Sequence, residues 1–254
     1  MEKWAGKIAV VTGASVGIGA AIVKNFAKNG IVVIGLARRS EKIEEIARNL
    51  DGGCGKIYVK KCDVSDLKSI KEAFKWIEEE FGVVHIIVNN AAILFNGKIL
   101  GEGEETAENL NNVINTNLTG VVHCTREAVR LIKNSNEHGM IININSVLGH
   151  NIPFSGARLN VYPPTKYALT AMSEVLRQEL IVDNNEKIRV TNLSPGSVKT
   201  DIVVSGGFAD NNDDYFKQMP CLSAEDVAET VSFLLETPHN VNISQLTIMP
   251  VGER

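Results

Sequence analysis

The 254-residue chain is 44% hydrophobic, enough for one large domain over residues 1–254 with a sizeable buried core. Its net charge of -4 and its scattered Lys and Arg form no basic patch, which argues against nucleic acid as a partner. The cysteines are widely spaced and the histidines form no pair at metal-ligand spacing, so neither disulfides nor a metal site is expected. The first strand is expected to start near Lys7 and no apolar run is long, so we expect neither a targeting peptide nor a membrane span. These features predict a cytoplasmic protein.

Short apolar runs alternate along the chain with longer stretches of helical period. The runs are mostly continuous, as expected for strands of a parallel sheet that helices cover on both faces. They predict an α/β fold with one doubly wound, seven-stranded parallel sheet, in which ligands bind beyond the carboxyl ends of the strands. The predicted strands are KIAVVT (7–12), IVVIGLA (31–37), KIYVKKC (56–62), VHIIVN (84–89), MIININS (140–146), IRVTNLS (188–194) and QLTIM (245–249).

The first strand leads into TGASVGIGAAIVKNFAKNG (12–30), which has three glycines at the turn into a predicted helix. Glycines there allow a tight turn and a close approach to a pyrophosphate, whose charge is favoured by the free amides of a helix start. The residues are Gly13, Gly17 and Gly19, and their GxxxGxG spacing departs from the strict GxGxxG pattern. Three glycines could equally form an ordinary strand-to-helix connection.

The second strand ends in IGLARRS (34–40), where an NAD-binding unit usually carries an acidic residue for the ribose hydroxyls. Ala37 is followed instead by Arg38 and Arg39, whose guanidinium groups can bind a 2′-phosphate in fork geometry. Paired arginines are ordinarily solvated surface, but their position after this strand favours NADP. Asp63, at the end of the third strand, is interpreted equally well as a partner of an adenine amine or as a local cap.

The stretch DLKSIKEAFKWIEEEFG (66–82) predicts an amphipathic helix that stops at Gly82. Its apolar residues recur at three- and four-residue spacings, as in a helix face turned to the core. These residues are Leu67, Ile70, Phe74, Ile77 and Phe81.

The stretch YPPTK (162–166) places Tyr162 and Lys166 four positions apart, on one face of a predicted helix. The helix is expected to begin near Pro163 or Pro164, because proline suits a first helical turn. An ammonium group beside a tyrosine favours phenolate and lowers the phenol pKa from about 10, which would suit proton transfer near neutral pH. Alone, a Tyr and a Lys at this spacing are usually helix surface.

Ser146 ends the fifth strand and brings a hydroxyl to the same edge of the sheet, where it could hold a substrate carbonyl oxygen. Together with the glycine turn and the YxxxK pair, it resembles the short-chain dehydrogenase/reductase family over nearly the whole chain. Other matching motifs are NNAA (89–92), INTNLTG (114–120) and SPGSVKT (194–200). The resemblance implies a Rossmann-like fold and an NADP-dependent oxidoreductase.

The resemblance also implies roles for individual residues. Tyr162 would be the general acid in carbonyl reduction and the general base in alcohol oxidation. Lys166 would bind the nicotinamide ribose and lower the Tyr162 pKa, Ser146 would orient the substrate oxygen, and Asn117 would hold a water of a proton relay. Asn90 would lie near the adenosine ribose. Pro195, Gly196, Val198 and Thr200 would lie along the nicotinamide, and further NADP(H) contacts would come from Ser15, Ile18, Val64, Ala91 and Ala92.

Two features depart from the family pattern. Ala92 stands where the family usually has glycine, so a methyl group is added where the backbone nears the cofactor. The loop between Ser146 and Tyr162 is long for the family and is expected to line the substrate pocket.

Segments such as VVIGLARRSEKIEEIA and CLSAEDVAETV resemble an NADP-dependent branch that includes insect farnesol dehydrogenases and animal DHRS-type carbonyl reductases. That branch implies an apolar ketone, steroid or isoprenoid alcohol as substrate.

Residues 201–222 are rich in Gly, Asn and Asp with few apolar residues, which is typical of a substrate lid and also of an ordinary surface loop. The hypothesis of a lid assigns closure to Phe208, Tyr215 and Phe216.

In the helix from Lys166 to Leu180, the apolar residues are spread more widely than one core stripe. They indicate a thickly buried helix or a subunit contact, and the resemblance implies a homodimer or homotetramer.

Two classes of function are compatible with this fold. One is the oxidoreductase, in which the protein orients groups and moves a proton. The other is a nucleotide-binding sensor or scaffold without turnover. The full set of Asn117, Ser146, Tyr162 and Lys166 favours the enzyme, because a binding module needs no proton relay.

Overall fold

A computed structural model describes residues 1–50, 55–153, 158–217 and 219–253. Its strands form one seven-stranded, fully parallel sheet with the order β3-β2-β1-β4-β5-β6-β7. This is the predicted doubly wound, Rossmann-like fold. The strands are β1 Ile8–Thr12, β2 Val32–Ala37, β3 Ile57–Lys61, β4 Ile86–Asn89, β5 Gly139–Ile144, β6 Ile188–Pro195 and β7 Gln245–Ile248.

Helices connect the strands and cover both faces of the sheet. The α-helices are α1 Gly17–Lys28, α2 Ser40–Arg48, α3 Leu67–Phe81, α4 Glu104–Ile114, α5 Gly120–Ser135, α6 Tyr162–Val182, α7 Ile202–Ser205, α8 Asn212–Phe216 and α9 Ala224–Glu236. A π-helical turn, Asn115–Thr119, joins α4 to α5, and short 3-10 turns cover Glu2–Trp4 and Val147–Gly149. Within the described ranges, no helix is both long and apolar enough to span a bilayer.

Two hydrophobic cores lie on opposite faces of the sheet. Phe26 of α1 and Leu234 of α9 belong to one core, and Phe74 of α3 and Leu131 of α5 belong to the other. Because neighbouring residues of a strand point to opposite faces, continuous apolar strands such as β1 can supply both cores.

Helix α3 shows how local sequence sets its ends. The Asp66 side chain accepts hydrogen bonds from the amides of Lys68 and Ser69, and Gly82 ends the helix at a φ of 73°. Ile70, Phe74 and Ile77 of the predicted stripe are buried and Phe81 is partly buried, whereas Leu67 is 41% exposed. The buried face of α3 therefore begins at Ile70 and not at Leu67, the first residue of the predicted stripe.

The sheet places its ligand edge at β1 and β4. The chain leaves β1 toward β2 and β3 on one side, and β4 begins the other half of the sheet. Such a reversal of strand order opens a crevice at the carboxyl ends of the strands.

Candidate active site

A cleft of about 440 Å³ lies at the carboxyl ends of the strands. It brings together most of the residues that the sequence assigned to cofactor and catalysis. These are Gly13, Ser15, Gly17, Ile18, Arg38, Arg39, Asp63, Val64, Asn90, Ala91, Ala92, Ser146, Tyr162, Lys166, Pro195, Gly196, Val198 and Thr200. Gly19 and Asn117 do not line it.

The glycine turn is packed tightly against the end of β4. Gly13 and Gly17 have φ values of 64° and 55°, a conformation that other residues rarely adopt. A Cβ on Gly13 would lie 2.8 Å from the Cα of Ala91, and a Cβ on Gly17 would lie 3.1 Å from Thr200 Cγ2. Gly19 lies beneath the turn, where a Cβ would overlap the carbonyl oxygen of Gly13. The turn therefore needs all three glycines and fits a close approach by a dinucleotide pyrophosphate.

Asn90 braces this turn from the neighbouring strand. Its Nδ2 donates to the carbonyl oxygens of Thr12 (2.9 Å) and Gly13 (3.2 Å), and its amide donates to Thr12 Oγ1 (3.0 Å). Asn90 thus fixes the geometry of the glycine turn in addition to lining the cleft.

Arg38 and Arg39 are exposed and line the cleft directly after β2. Within the described part of the chain, neither makes an ion pair with an acidic residue. Arg38 also borders a neighbouring groove that contains Lys60 and Lys61, which the sequence interpretation missed. The β2–β3 pairing is the signal that reveals them, because Lys61 lies opposite Ala37. Asp63 and Glu72 line the same groove, so three cationic and two acidic side chains meet there.

Asp63 serves a local turn. Its Oδ1 accepts hydrogen bonds from the amide (3.0 Å) and the hydroxyl (2.7 Å) of Ser65. The cap of α3 is Asp66, and Asp63 still borders the cleft. Asp63 therefore binds Ser65 but does not cap the helix, and a contact with adenine stays a prediction.

Helix α6 begins at Tyr162, one residue before the predicted start. Pro163 and Pro164 occupy its first turn, where the missing amides need no partner. Tyr162 adopts helical geometry, and its amide donates to the carbonyl of Leu159 (3.0 Å). Lys166 Nζ consequently lies 5.6 Å from the centroid of the Tyr162 ring.

Burial dominates the protonation of this pair. It raises the pKa of Tyr162 to about 12, and a hydrogen bond with Ser146 opposes the rise. It lowers the pKa of Lys166 to about 8. Lys166 Nζ donates to the carbonyl of Ile144 (2.9 Å). The sequence predicted that Lys166 lowers the pKa of Tyr162, and this is not observed. Desolvation disfavours both the Tyr162 phenolate and the Lys166 ammonium ion.

Asn117 lies behind the cleft in the π-helical turn and is buried. Its Oδ1 accepts from the amide of Ile93 (2.8 Å), and its Nδ2 donates to the carbonyl of Ile93 (2.9 Å). The Asn117 side chain therefore holds the segment after β4 in place. A water held by Asn117 stays a prediction.

The alanine at position 92 is compatible with its backbone. In the described chain, the non-glycine residues with positive φ are Asn136, Asn160 and Asn184. Ala92 is not in the left-handed region, so glycine is not required there.

The cleft is also lined by residues that the sequence interpretation did not single out. Three of its apolar members, Ile93, Leu94 and Phe95, follow β4, where an apolar run could have indicated them. The additional lining residues are Val16, Leu36, Ala37, Cys62, Ile93, Leu94, Phe95, Thr116, Ile144, Asn145, Asp201, Ile202 and Ser205.

The first residues of the segment 201–222 pack against the chain that follows β4. Asn96 donates from its amide to the carbonyl of Gly206 (2.7 Å) and from Nδ2 to the carbonyl of Gly207 (3.0 Å). Ile202 and Ser205 face the cleft.

The three aromatic residues expected to close the lid do not line the cleft. Phe208 is partly buried, and Phe216 is buried against Tyr215, with ring centroids 4.9 Å apart. Of the long loop between Ser146 and Tyr162, residues 154–157 lie outside the described residues, and the described part does not line the cleft.

Comparisons with known proteins agree with this geometry. A model of the short chain dehydrogenase family matches residues 7–207. The chain is 42% identical to farnesol dehydrogenase of Aedes aegypti over 100% of both chains. It is 37% identical to dehydrogenase/reductase SDR family member 11 of Homo sapiens, over 100% of this chain and 97% of that protein.

Solved structures show the same fold. The closed form of a serine dehydrogenase complexed with NADP+ has a TM-score of 0.85 and 31% identity, covering 97% of this chain and 96% of that one. An alcohol dehydrogenase from Thermococcus sibiricus complexed with 5-hydroxy-NADP has a TM-score of 0.81 and 28% identity, covering 98% of both chains. With the family model, the full-length relatives and the shared fold in agreement, this chain belongs to the short-chain dehydrogenase family of oxidoreductases.

Proposed function

We propose that the protein is an NADP-dependent alcohol dehydrogenase or carbonyl reductase. It would interconvert an apolar ketone or aldehyde and its alcohol, for example an isoprenoid alcohol such as farnesol or a steroid-like ketone. The observation that carries the proposal is the convergence of Ser146, Tyr162 and Lys166 with the glycine turn in one cleft.

The chain's own residues fit the cofactor NADP(H). Gly13 and Gly17 leave room for a pyrophosphate, and the turn from Pro195 to Thr200 borders the other end of the cleft. Arg38 and Arg39, with Lys60 and Lys61 beside them, offer cations to a 2′-phosphate. Two of the solved relatives are complexes with NADP forms. When bound, NADP(H) supplies or accepts the hydride.

In the proposed reaction, the protein donates or removes the proton. In reduction, Tyr162 donates its phenolic proton to the substrate oxygen, and in oxidation it removes the proton from the alcohol. The raised pKa of Tyr162 keeps the phenol protonated at neutral pH, the form that serves reduction. Ser146 Oγ holds the substrate oxygen beside the phenol. Lys166, with its pKa near 8, can release or accept a proton under ordinary conditions, and Asn117 supports the relay to solvent.

The substrate end of the cleft favours an apolar molecule. Ile93, Leu94, Phe95 and Ile202 contribute apolar side chains to the cleft that also contains Tyr162. The relative from Aedes aegypti is named a farnesol dehydrogenase, which supports an isoprenoid alcohol. The segment 201–222 acts as the lid, with Ile202 as its apolar contact to the substrate.

The protein is further proposed to work in the cytoplasm as a homodimer or homotetramer. Three apolar side chains of α6 are exposed by more than half: Val175 (54%), Ile181 (58%) and Val182 (79%). Such exposure is typical of a helix that contacts another subunit. Sedimentation velocity that showed only a monomer at micromolar concentration would refute the assembly.

The competing hypothesis is a nucleotide sensor without turnover. It requires cofactor binding but no proton transfer, so it predicts binding of NADPH with no oxidation of any alcohol or reduction of any carbonyl. The buried Tyr162 and Lys166 pair disfavours it, because burying two ionisable groups has a cost that binding alone does not need.

Cofactor choice is tested with the double variant Arg38→Ala, Arg39→Ala. We expect kcat/KM for NADPH to fall by about 100- to 10,000-fold, since each of the two charge-assisted contacts contributes about 1.5–3 kcal/mol. The value for NADH should stay unchanged. The matched control is Arg48→Ala, an exposed arginine of α2 whose partner is Glu44. An unchanged NADPH-to-NADH preference in the double variant would contradict the assignment of NADP.

A further inference from the structure

The segment after β7 folds back onto the turn that follows β6. The amide of Gly196 donates to the carbonyl of Ile248 (2.8 Å), which continues the β6–β7 pairing by one residue. Beyond β7, Glu253 donates from its amide to the carbonyl of Pro250 (3.2 Å), and Gly252 has a φ of 93°. This turn directs the Glu253 side chain back toward Gly196.

The Glu253 carboxylate accepts hydrogen bonds from that turn on the side away from the cleft. The amide of Ser197 donates to Glu253 Oε1 (3.0 Å) and Oε2 (3.2 Å), across 56 positions of sequence. A Cβ on Gly196 would overlap Oε2, so the carboxylate occupies the space that a larger residue would fill. The Ser197 amide makes no other hydrogen bond within the described ranges.

The other side of the same turn faces the cleft. Pro195, Gly196, Val198 and Thr200 line it, whereas Glu253 does not. The far half of the turn is held separately, because Leu222 donates to Ser197 and accepts from Lys199 through the backbone. Within the near half, the amide of Gly196 is held by the carbonyl of Ile248, and the amide of Ser197 is held by the side chain of Glu253.

We propose that Glu253 is a positioning residue that sets the nicotinamide end of the cofactor site. It acts through the Gly196–Ser197 peptide and does not touch the cofactor itself. A carboxylate that accepts a charge-assisted hydrogen bond restrains an amide more strongly than a neutral acceptor does. The inference rests on the proposed function, because it assumes that the Pro195–Thr200 turn meets the nicotinamide half.

The test separates the two halves of the cofactor. Dissociation constants are measured for NADPH and for adenosine 2′,5′-bisphosphate, which carries the adenosine and the 2′-phosphate but no nicotinamide. The proteins are wild type, Glu253→Ala, Glu253→Gln and the control Glu186→Ala, an exposed acid just before β6, at the opposite end of that strand from the turn. The midpoint of thermal unfolding and kcat and KM for NADPH are measured on the same samples.

We expect Glu253→Ala to weaken NADPH about 10-fold, the effect of losing one hydrogen bond to a charged group. Binding of the bisphosphate should stay unchanged, because the adenosine end lies at the other end of the cleft. KM for NADPH should rise more than kcat falls. Glu253→Gln should restore most of the NADPH affinity, since its amide oxygen can still accept from Ser197, and Glu186→Ala should resemble wild type.

Equal weakening of both ligands by Glu253→Ala, or an unchanged affinity for both, would overturn the positioning role. Failure of Gln to rescue would also contradict it. If wild type bound the bisphosphate but no NADPH, the assumed nicotinamide site and the inference would both be wrong. If wild type bound neither, the proposed cofactor itself would be refuted.

Discussion

Lys166 is a buried cation at the centre of the candidate active site. Its Nζ donates to the carbonyl of Ile144, and its side chain is almost completely shielded from water. Desolvation lowers its pKa to about 8, while the pKa of Tyr162 rises to about 12. The site thus holds Tyr162 as an acid and Lys166 as a group that titrates close to physiological pH.

This shift has a consequence for folding stability. The unfolded chain keeps the Lys166 proton up to the ordinary pKa of 10.5, whereas the folded chain releases it near pH 8. Between these values the unfolded state binds more protons, so the free energy of unfolding should increase with pH. The increase should reach up to about 3 kcal/mol across that window.

Lys166→Met provides the comparison. Its free energy of unfolding should lack the Lys166 contribution, so the difference between wild type and variant should grow from pH 8 to pH 10.5. Denaturant unfolding at several pH values measures that difference. A constant difference across the window would mean that Lys166 is not desolvated as described.

At the scale of elements, an irregular stretch of backbone between α4 and α5 shapes the site. The π-helical turn Asn115–Thr119 directs Asn117 to the backbone of Ile93. It is followed by Gly120, where a Cβ would overlap the carbonyl of Val64, a residue that lines the cleft. The long helical stretch from α4 to α5 therefore adjusts its geometry where it passes the cofactor cleft.

Gly206 lies at the contact between the proposed lid and the segment after β4. A Cβ at this position would lie 2.6 Å from the carbonyl oxygen of Leu94, so Gly206→Ala should keep α7 away from the segment after β4. We expect KM for an apolar substrate to rise about 10-fold or more, as for other lid variants that disturb substrate closure. The dissociation constant of NADPH should be unchanged.

Gly97→Ala is the matched control. It lies in the opposing segment, but the nearest atom to its added Cβ would be 3.9 Å away. Steady-state kinetics of both variants decide the point. If Gly206→Ala kept the wild-type KM, closure by the 201–222 segment would not contribute to substrate binding.

At the scale of the whole molecule, the sheet followed closely from the sequence. Continuous apolar runs identified all seven strands, and the capping residue Asp66 and the stop at Gly82 set the limits of α3. These signals are local, because burial on both faces and turn chemistry leave a direct trace in residue type. The start of α6 was wrong by one residue, since the restriction that proline imposes on Tyr162 is overridden by the fold.

The parts that were missed depend on contacts between distant segments. Lys61 joins Arg38 only through strand pairing, and Glu253 reaches Ser197 only because β7 lies beside β6. The pKa shifts of Tyr162 and Lys166 depend on burial, which residue spacing does not reveal. The aromatic residues expected to close over the substrate show the same limit, because composition does not reveal that Ile202 lines the cleft while Phe208, Tyr215 and Phe216 do not.

The central claim is that Tyr162 moves a proton in NADP-dependent turnover. The most direct test is the rate of farnesol oxidation with NADP+, and of apolar carbonyl reduction with NADPH, for wild type, Tyr162→Phe and Tyr167→Phe. Tyr167 is the neighbouring tyrosine on α6 and is 41% exposed, so it controls for loss of a phenol from that helix. NADPH binding is measured for all three proteins.

We predict that Tyr162→Phe lowers kcat by about 100- to 10,000-fold, the usual contribution of a general acid or base. Its NADPH affinity should persist, and Tyr167→Phe should turn over like wild type. Turnover by Tyr162→Phe at the wild-type rate would contradict the mechanism, and NADPH binding without turnover by any of the three proteins would favour the sensor.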